Sequence, residues 1–340
     1  MANIAPSYIT VNPSYTMPEL LLPYSQASGA FSLLPNDEPM TRLSEGDLYA
    51  YINRVDVRTK MAAGQAAYNS LPSCDVVLSQ ISTPSYLLRV RAEYDHHDTA
   101  AMGRRGVSIV EAQRLAMRQG HFQLLRTMLL QGMNPVNGEG FLNANGATAI
   151  NLPADSNGND TVVTYDNGQM AFFLMSQIQA IKTRTNQLGI GRKFTILGPQ
   201  RTLGTFEYNV VQLVQFQRTG AGTTSTAGTL KSVLMDNGDE IKWVYDDTLI
   251  NKGAGGTTDA VLLVMPEVEK PNGGKINTNE FASLAPGLDA CTLMLNDMVA
   301  PREIPTPLAG GAIDVLSELR STSGWVVRPE SLTIISMMYQ

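Results

Sequence analysis

The sequence predicts an α+β chain, and three stretches carry that prediction. One uninterrupted helical pattern runs from Ser108 to Gln131. Ahead of it, residues 76–94 alternate apolar and polar side chains as strands do. Behind it, short apolar strands interleave with helical segments as far as Met265, and two more strands close the chain at Trp325–Val327 and Leu332–Met337.

Composition narrows the function classes. The 340 residues carry 31 acidic and 25 basic side chains, a formal net charge of −6. A dedicated nucleic-acid reader needs a basic surface to neutralise phosphates, so the acidic balance argues against one. Hydrophobic residues make up 43%, which supports a large core and excludes general disorder. Only 16% of the residues are charged, against about 25% in an ordinary soluble domain. A free monomer keeps more charge on its surface, so part of this surface is expected to be covered by another molecule. No apolar run approaches the roughly 18 to 20 residues of a membrane span. The opening MANIAPSYITVNPSY lacks the basic start and apolar core of a signal peptide. Cys74 and Cys291 stand far apart outside any CxxC or Cys/His pattern. They read as two reduced thiols, not a disulfide framework or a zinc site.

Residues 1–45 read as an extended N-terminal arm. Glu19 is the one charged side chain within 1–36. Pro6, Pro13, Pro18, Pro23 and Pro35 fix φ and remove donors, so neither a long helix nor a central strand forms there. Tyr8, Tyr15, Tyr24 and Leu20 to Leu22 make the segment sticky, whereas a solvated tail carries charge. Two placements fit: along another surface, or as an ordered coil on the chain's own domain.

Ser44 followed by Asp47 has the form of a helix N-cap, and Asp47 to Lys60 fits either helix or strand. Val76–Ile81 and Ser85–Tyr94 read as two strands flanking a turn at Ser82-Thr83-Pro84-Ser85. In the second, Leu88, Val90, Ala92 and Tyr94 share one face, while Arg89, Arg91 and Glu93 share the other. A two-stranded ribbon is marginal alone and needs a neighbouring surface. Asp95-His96-His97-Asp98 gathers metal-ligating side chains. Adjacent residues do not face each other on a helix and alternate on a strand, so a polar turn or helix start is expected and no metal site. The i, i+4 histidine spacing of HExxH is missing as well.

Ser108-Ile109-Val110-Glu111 is a capping box, and Gly132 followed by Pro135 supplies the stop. Between them Ala112, Leu115, Ala116, Phe122, Leu125, Met128 and Leu129 recur at helical spacing. Gly120 in the middle costs about 1 kcal/mol relative to Ala. Arg114, Arg118 and Arg126 lie on one third of the circumference and read as a solvated face. Asn167 to Leu188 is predicted as an amphipathic helix with Phe172, Phe173, Met175, Ile178 and Ile181 on its apolar side. Lys193–Leu197 reads as a buried strand, Thr202–Val214 as a second helix, and Thr219–Gly228 as a loop too low in bulk to pack a core. Ile241–Tyr245 and Ala260–Met265 follow as strands.

Catalytic patterns are lacking. Gly273-Gly274-Lys275 is followed by Ile276 and makes no Walker A motif, and Gly253 to Gly256 has no GxGxxG frame. No GxSxG elbow occurs. His96, His97 and His121 are the only histidines, and His121 beside Phe122 reads as structural. Asp239-Glu240 and Asp246-Asp247 border strands and read as solvated edges. No nucleophile, base and orienting group stand together, so no catalytic, cofactor-binding or metal residue is assigned.

A short polar segment, Tyr94 to Gly106, leads into the long helix, and Gly138-Glu139-Gly140-Phe141-Leu142-Asn143 follows it. This order resembles the major capsid proteins of tailed bacteriophages with the HK97-like fold, in the branch where a G-x-G-F-L-N turn follows the spine helix. The resemblance implies an arm at 1–45, a lead-in to the peripheral domain with the E-loop β-hairpin at 46–107, and the spine helix with peripheral domain at 108–165. It further implies an axial domain at 166–290 and a return to the peripheral domain with closing strands at 291–340. It implies self-assembly through pentamers and hexamers into an icosahedral head that encloses double-stranded DNA without sequence-specific binding. The implied partners are further copies of the chain, through the arm and E-loop, with portal, scaffolding and decoration proteins, and no membrane. The implied location is the virion capsid, assembled in the host cytoplasm, and no cofactor or enzyme activity is implied. No segment before the arm matches a fused scaffold, and no Lys and Asn crosslinking pair is assignable. Two other readings stand beside this one: an encapsulin-like nanocompartment shell with protein cargo, and a soluble oligomeric α/β enzyme.

Overall fold

The computed structural model describes residues 29–34, 37, 41–58, 75–103, 108–187, 191–217, 223–235, 238–268, 292–297 and 301–340. Most of the arm (1–28), both cysteines and Gly273 to Lys275 lie outside these residues.

One strand of 20 residues organises the first sheet. It is β3 (Asp75–Tyr94), and it runs straight through Pro84, where a turn was expected. Its first half pairs antiparallel with β2 (Tyr49–Arg58), from Arg58 opposite Asp75 to Tyr49 opposite Pro84. Its second half pairs with β13 (Ile313–Thr322), from Thr322 opposite Ser85 to Ile313 opposite Tyr94. Pro84 therefore sits where the strand changes partners, and its missing N–H interrupts little of either ladder. The stretch left open between helix and strand is β2, and Ser44 heads no helix: its N–H donates to Asp47 Oδ2 at 2.8 Å to close a turn. On its other side β13 pairs with β12 (Arg302–Pro307) and with β11 (Asn296–Asp297), and β1 (Thr41–Arg42) lies parallel to β11. Opposite charges meet across the β3–β13 ladder, Arg89 to Glu318 and Arg91 to Asp314, each at 2.7 Å.

Helix α1 (His96–Gly103) follows β3 directly, and the long helix α2 (Ile109–Leu130) lies over β3 and β13. Ser108 caps α2 as expected, its hydroxyl accepting from Glu111 N–H. The expected apolar stripe holds for one end only. Met128, Leu129 and Leu130 are buried, with Leu88 and Leu319 packed on Met128. Ala112, Leu115 and Ala116 face outward, and Phe122 is 41% exposed. Arg126, read as solvated, is buried instead. Only the last turns of α2 enter the space between the sheets, so periodicity built the helix but did not set its burial. Phe122 still has a partner: Phe31 stacks on it with centroids 5.3 Å apart. Phe31 belongs to a short 3-10 turn, Ala30–Leu33, whose Ala30 and Leu33 are fully buried. This described piece of the arm packs on its own chain.

The second sheet has the order β4 (Thr148–Asn151), β15 (Leu332–Met337), β9 (Asp259–Val264), β5 (Lys193–Gly198), β8 (Glu240–Tyr245). The outer pairs β4–β15 and β5–β8 are parallel and the inner pairs antiparallel. All six residues of β9 are buried, because the sheet is covered on both faces. Val261 and Leu263 pack on one side with Met170, Leu174, Ile178 and Ile181 of α3 (Asn167–Thr185). Ala260, Leu262 and Val264 pack on the other with Leu33, Leu129, Leu130 and Phe141. Phe172, expected on the apolar side of α3, is 77% exposed; it stands roughly 200° round the helix from Met170.

The predicted second helix is shorter. It is α4 (Gln200–Tyr208), and β6 (Val210–Gln217) follows and pairs with β7 (Thr223–Thr229) where a loop was expected. Val210, Val211 and Val214 are stiff at χ1 and favour the extended chain. Thr-rich β7 gains its strand only by pairing. Helix α5 (Leu230–Met235) leads on into β8, and β10 (Leu293–Met294) pairs with β14 (Trp325–Val326).

Candidate functional site

The glycine turn after α2 is a latch between the two sheets. Gly132, Gly138 and Gly140 all have positive φ, which glycine adopts without strain. The turn folds back under the helix end, where Asn143 Nδ2 donates to the free Gln131 carbonyl at 2.8 Å. Gly140 N–H donates to Gly324 O at 2.7 Å, and Gly324 N–H donates to Met128 O at 3.1 Å, tying the closing segment to the helix terminus. At its centre Glu139, 4% exposed, accepts from Tyr86 OH (2.8 Å), Ser323 Oγ (2.9 Å) and Asn134 N–H (3.1 Å). One carboxylate thus joins β3, the helix exit and the stretch before β14. Burial, then the hydrogen bond to Glu139, push the Tyr86 phenol up to about 12. Sequence reading found the motif as a turn; the carboxylate's reach to Tyr86 and Ser323 depends on tertiary distance and left no trace in it.

A second buried carboxylate anchors the other sheet. Asp259 accepts from Arg201 Nε (2.8 Å) and Nη2 (2.5 Å), from Thr202 Oγ1 (2.7 Å) and from Asn251 N–H (3.1 Å). Burial works against its charge, but the bonds from Arg201, Thr202 and Asn251 outweigh burial and hold the carboxyl below its ordinary value. A depressed folded pKa contributes stability above the unfolded value near 3.8, and that contribution is lost as pH falls through the folded value. The Asp259→Asn variant is expected to show a shallower loss of stability than the parent on acidification below about pH 4. Denaturant midpoints measured between pH 5 and pH 2.5 check this; parallel slopes would refute it.

The carboxylate pairs expected as solvated edges are half buried instead. Asp239 lies against Lys182 Nζ at 2.5 Å, with both side chains buried, and its Oδ1 accepts Arg192 N–H. Asp246 is 1% exposed and caps the turn at Asp247–Leu249 through Thr248. The strand ends they border are covered by α3 and by the turn itself. His121 is structural as expected: buried, 3.1 Å from Ser317 Oγ, and pulled below its usual pKa by burial. At Gly253 to Gly256 the Ala254 N–H donates to Ser336 Oγ, which ties the turn to β15. The cluster at 95–98 is the helix start that was expected, since α1 begins at His96. Asp95, His96 and His97 each bring a ligand atom within 4.8 Å of the others, because β3 ends and α1 begins between them.

Lys231, Glu207 and Tyr245 form the most enzyme-like group. Lys231 Nζ is 2.7 Å from Glu207 Oε1, which also accepts Tyr245 OH. The bond to Glu207 raises Lys231, the bond from Lys231 lowers Glu207, and burial raises Tyr245. All three shifts lead away from neutral pH, opposite to the tuning of a general acid or base. The group is an ion pair, not a poised proton donor.

The hairpin shows unpartnered apolar surface. Leu78 is 73% exposed, Leu48 63% and Tyr51 58%, with Tyr49 and Val77 also outward. No helix among the described residues is long and apolar enough to cross a membrane.

No family model matches this sequence, and no curated protein matches it. Solved structures do. The chain is similar to the capsid of Myoviridae phage XM1, with a TM-score of 0.63 and 9% identity over 95% of this chain and 96% of that one. It is similar to the capsid of an empty GTA particle, with a TM-score of 0.56 and 10% identity over 99% of both chains. It is also similar to the capsid of cyanophage P-SCSP1u, with a TM-score of 0.55 and 12% identity over 98% and 99%. The chain therefore has the α+β fold of these capsid structures, the HK97-like fold.

Proposed function

We propose that the chain is the major capsid protein of a tailed phage, a non-enzymatic subunit that assembles through pentamers and hexamers into an icosahedral head around double-stranded DNA. The observation that carries the reading is likeness to capsid subunits along nearly the whole of both chains. The exposed apolar hairpin supports it, since a surface of this kind marks an interaction site. Shell interfaces of about 2,000 Å² or more, repeated around each copy, outweigh the cost of association. Its partners on this reading are further copies of itself, then portal, scaffolding and decoration proteins, and its place is the virion. The segments 1–45, 46–107, 108–165, 166–290 and 291–340 serve as arm, E-loop region, spine with peripheral domain, axial domain and return. Strand β15 of the last segment lies between β4 of the third and β9 of the fourth, so these three segments meet in one sheet.

Electron microscopy of the chain expressed with its neighbouring phage genes is expected to show closed shells holding nuclease-protected DNA. The Leu78→Asp variant is expected to leave the subunit folded while particle yield falls by about tenfold or more, since a charge replaces apolar interface area. Shells with protein cargo and no DNA would favour the nanocompartment reading. A small soluble species unaffected by Leu78→Asp would refute the capsid reading.

A further inference from the structure

Where β3 passes into α1, three side chains capable of binding a metal stand together on the surface. The two imidazoles of His96 and His97 lie side by side, with ring centroids 3.9 Å apart and planes tilted by 39°. Asp95 Oδ1 accepts His96 N–H at 2.5 Å and lies 2.6 Å from His96 Nδ1, which holds that ring beside the carboxylate. From the other side the His96 ring rests on Gly311, whose φ of +86° turns the chain between β12 and β13. An added Cβ at Gly311 would stand 3.3 Å from His96 Nδ1, so this turn leaves room for the ring. The ligand atoms of Asp95, His96 and His97 all lie within 4.8 Å of one another.

We propose that Asp95, His96 and His97 form a surface site for a divalent first-row transition ion of the zinc, nickel or copper class. Donor chemistry selects the class: imidazole suits zinc, copper and nickel, whereas magnesium and calcium take oxygen ligands. Bonds of about 2.0–2.1 Å to a tetrahedral ion place neighbouring ligand atoms about 3.4 Å apart, within reach of small rotations of exposed rings. Both contacts to the Asp95 carboxylate end on Oδ1, which leaves Oδ2 for the ion. Asp98, one residue further into the helix, is not part of the group. The remaining positions of the ion face solvent.

The test is calorimetric titration of the full-length protein, stripped with EDTA and desalted, with zinc chloride. Titration with copper sulfate follows, read by electron paramagnetic resonance. One ion per chain is expected at this site, with nitrogen hyperfine coupling in the copper spectrum. His96→Ala and His97→Ala are each expected to weaken binding by about tenfold or more, and Asp98→Asn to bind as the parent does. The three substituted positions are exposed, and circular dichroism checks that each variant folds. Absence of binding would overturn the proposal. So would equal binding by the His96→Ala/His97→Ala double variant, or full competition by magnesium.

Discussion

Glu139→Ala is expected to destabilise the subunit by about 3 kcal/mol. The substitution leaves Tyr86 OH, Ser323 Oγ and Asn134 N–H without the acceptor they share; Ser323 is buried and Tyr86 half-buried, where an unsatisfied donor costs about 1–3 kcal/mol, while the exposed Asn134 turns to water. Denaturant unfolding of the dissociated subunit measures the loss, and a value under about 1 kcal/mol would show that water replaces the carboxylate. Tyr86→Phe in the Glu139→Ala background is expected to cost less than in the parent, because the two groups share one network. The phenol gives an independent reading. Its raised pKa adds stability that is complete below the ordinary tyrosine value of 10.0 and lost as pH rises towards about 12. In Glu139→Gln the carboxylate charge is gone but burial, the larger cause, remains, so ultraviolet titration is expected to show Tyr86 ionising lower than in the parent and still above the ordinary value.

Gly140→Ala is expected to cost about 3 kcal/mol or more and to lower the yield of folded subunit. A Cβ there would stand 2.3 Å from the Gln131 carbonyl carbon and 2.4 Å from Gly132 N, both backbone atoms that cannot swing aside. The residue also has φ +85° and ψ 146°, where side chains are strained. Gly120→Ala supplies the contrast. It lies inside α2 with open space around its Cβ, and is expected to gain about 0.5–1 kcal/mol from helix propensity. Thermal unfolding of the two variants side by side checks both signs, and a neutral Gly140→Ala would refute the latch geometry.

Elements with local causes are legible in the chain alone. Ser108, Glu111 and Gly132 bound the long helix, and these caps act within one turn. The apolar run within Lys193 to Leu197 announced a buried strand, which β5 is. The glycines of the latch were legible as a turn because positive φ leaves a mark in residue choice.

Tertiary structure decided whatever depends on a partner distant in the chain. Pro84 reads as a turn until β2 and β13 take opposite halves of one strand and leave its missing donor at the change of partner. The apolar side of α2 is a question of what lies beneath it: Met117, His121 and the final turns are buried, so Leu115 stays outside and Arg126 goes in. Residues 223–229 have no bulk to announce a strand, and β6 alone makes them one. Asp239, Asp246 and Glu139 look like surface carboxylates because sequence records charge but not the donors that compensate its burial. Lys182 and Tyr86, which supply donors to Asp239 and Glu139 from more than fifty residues away, are placed by the fold.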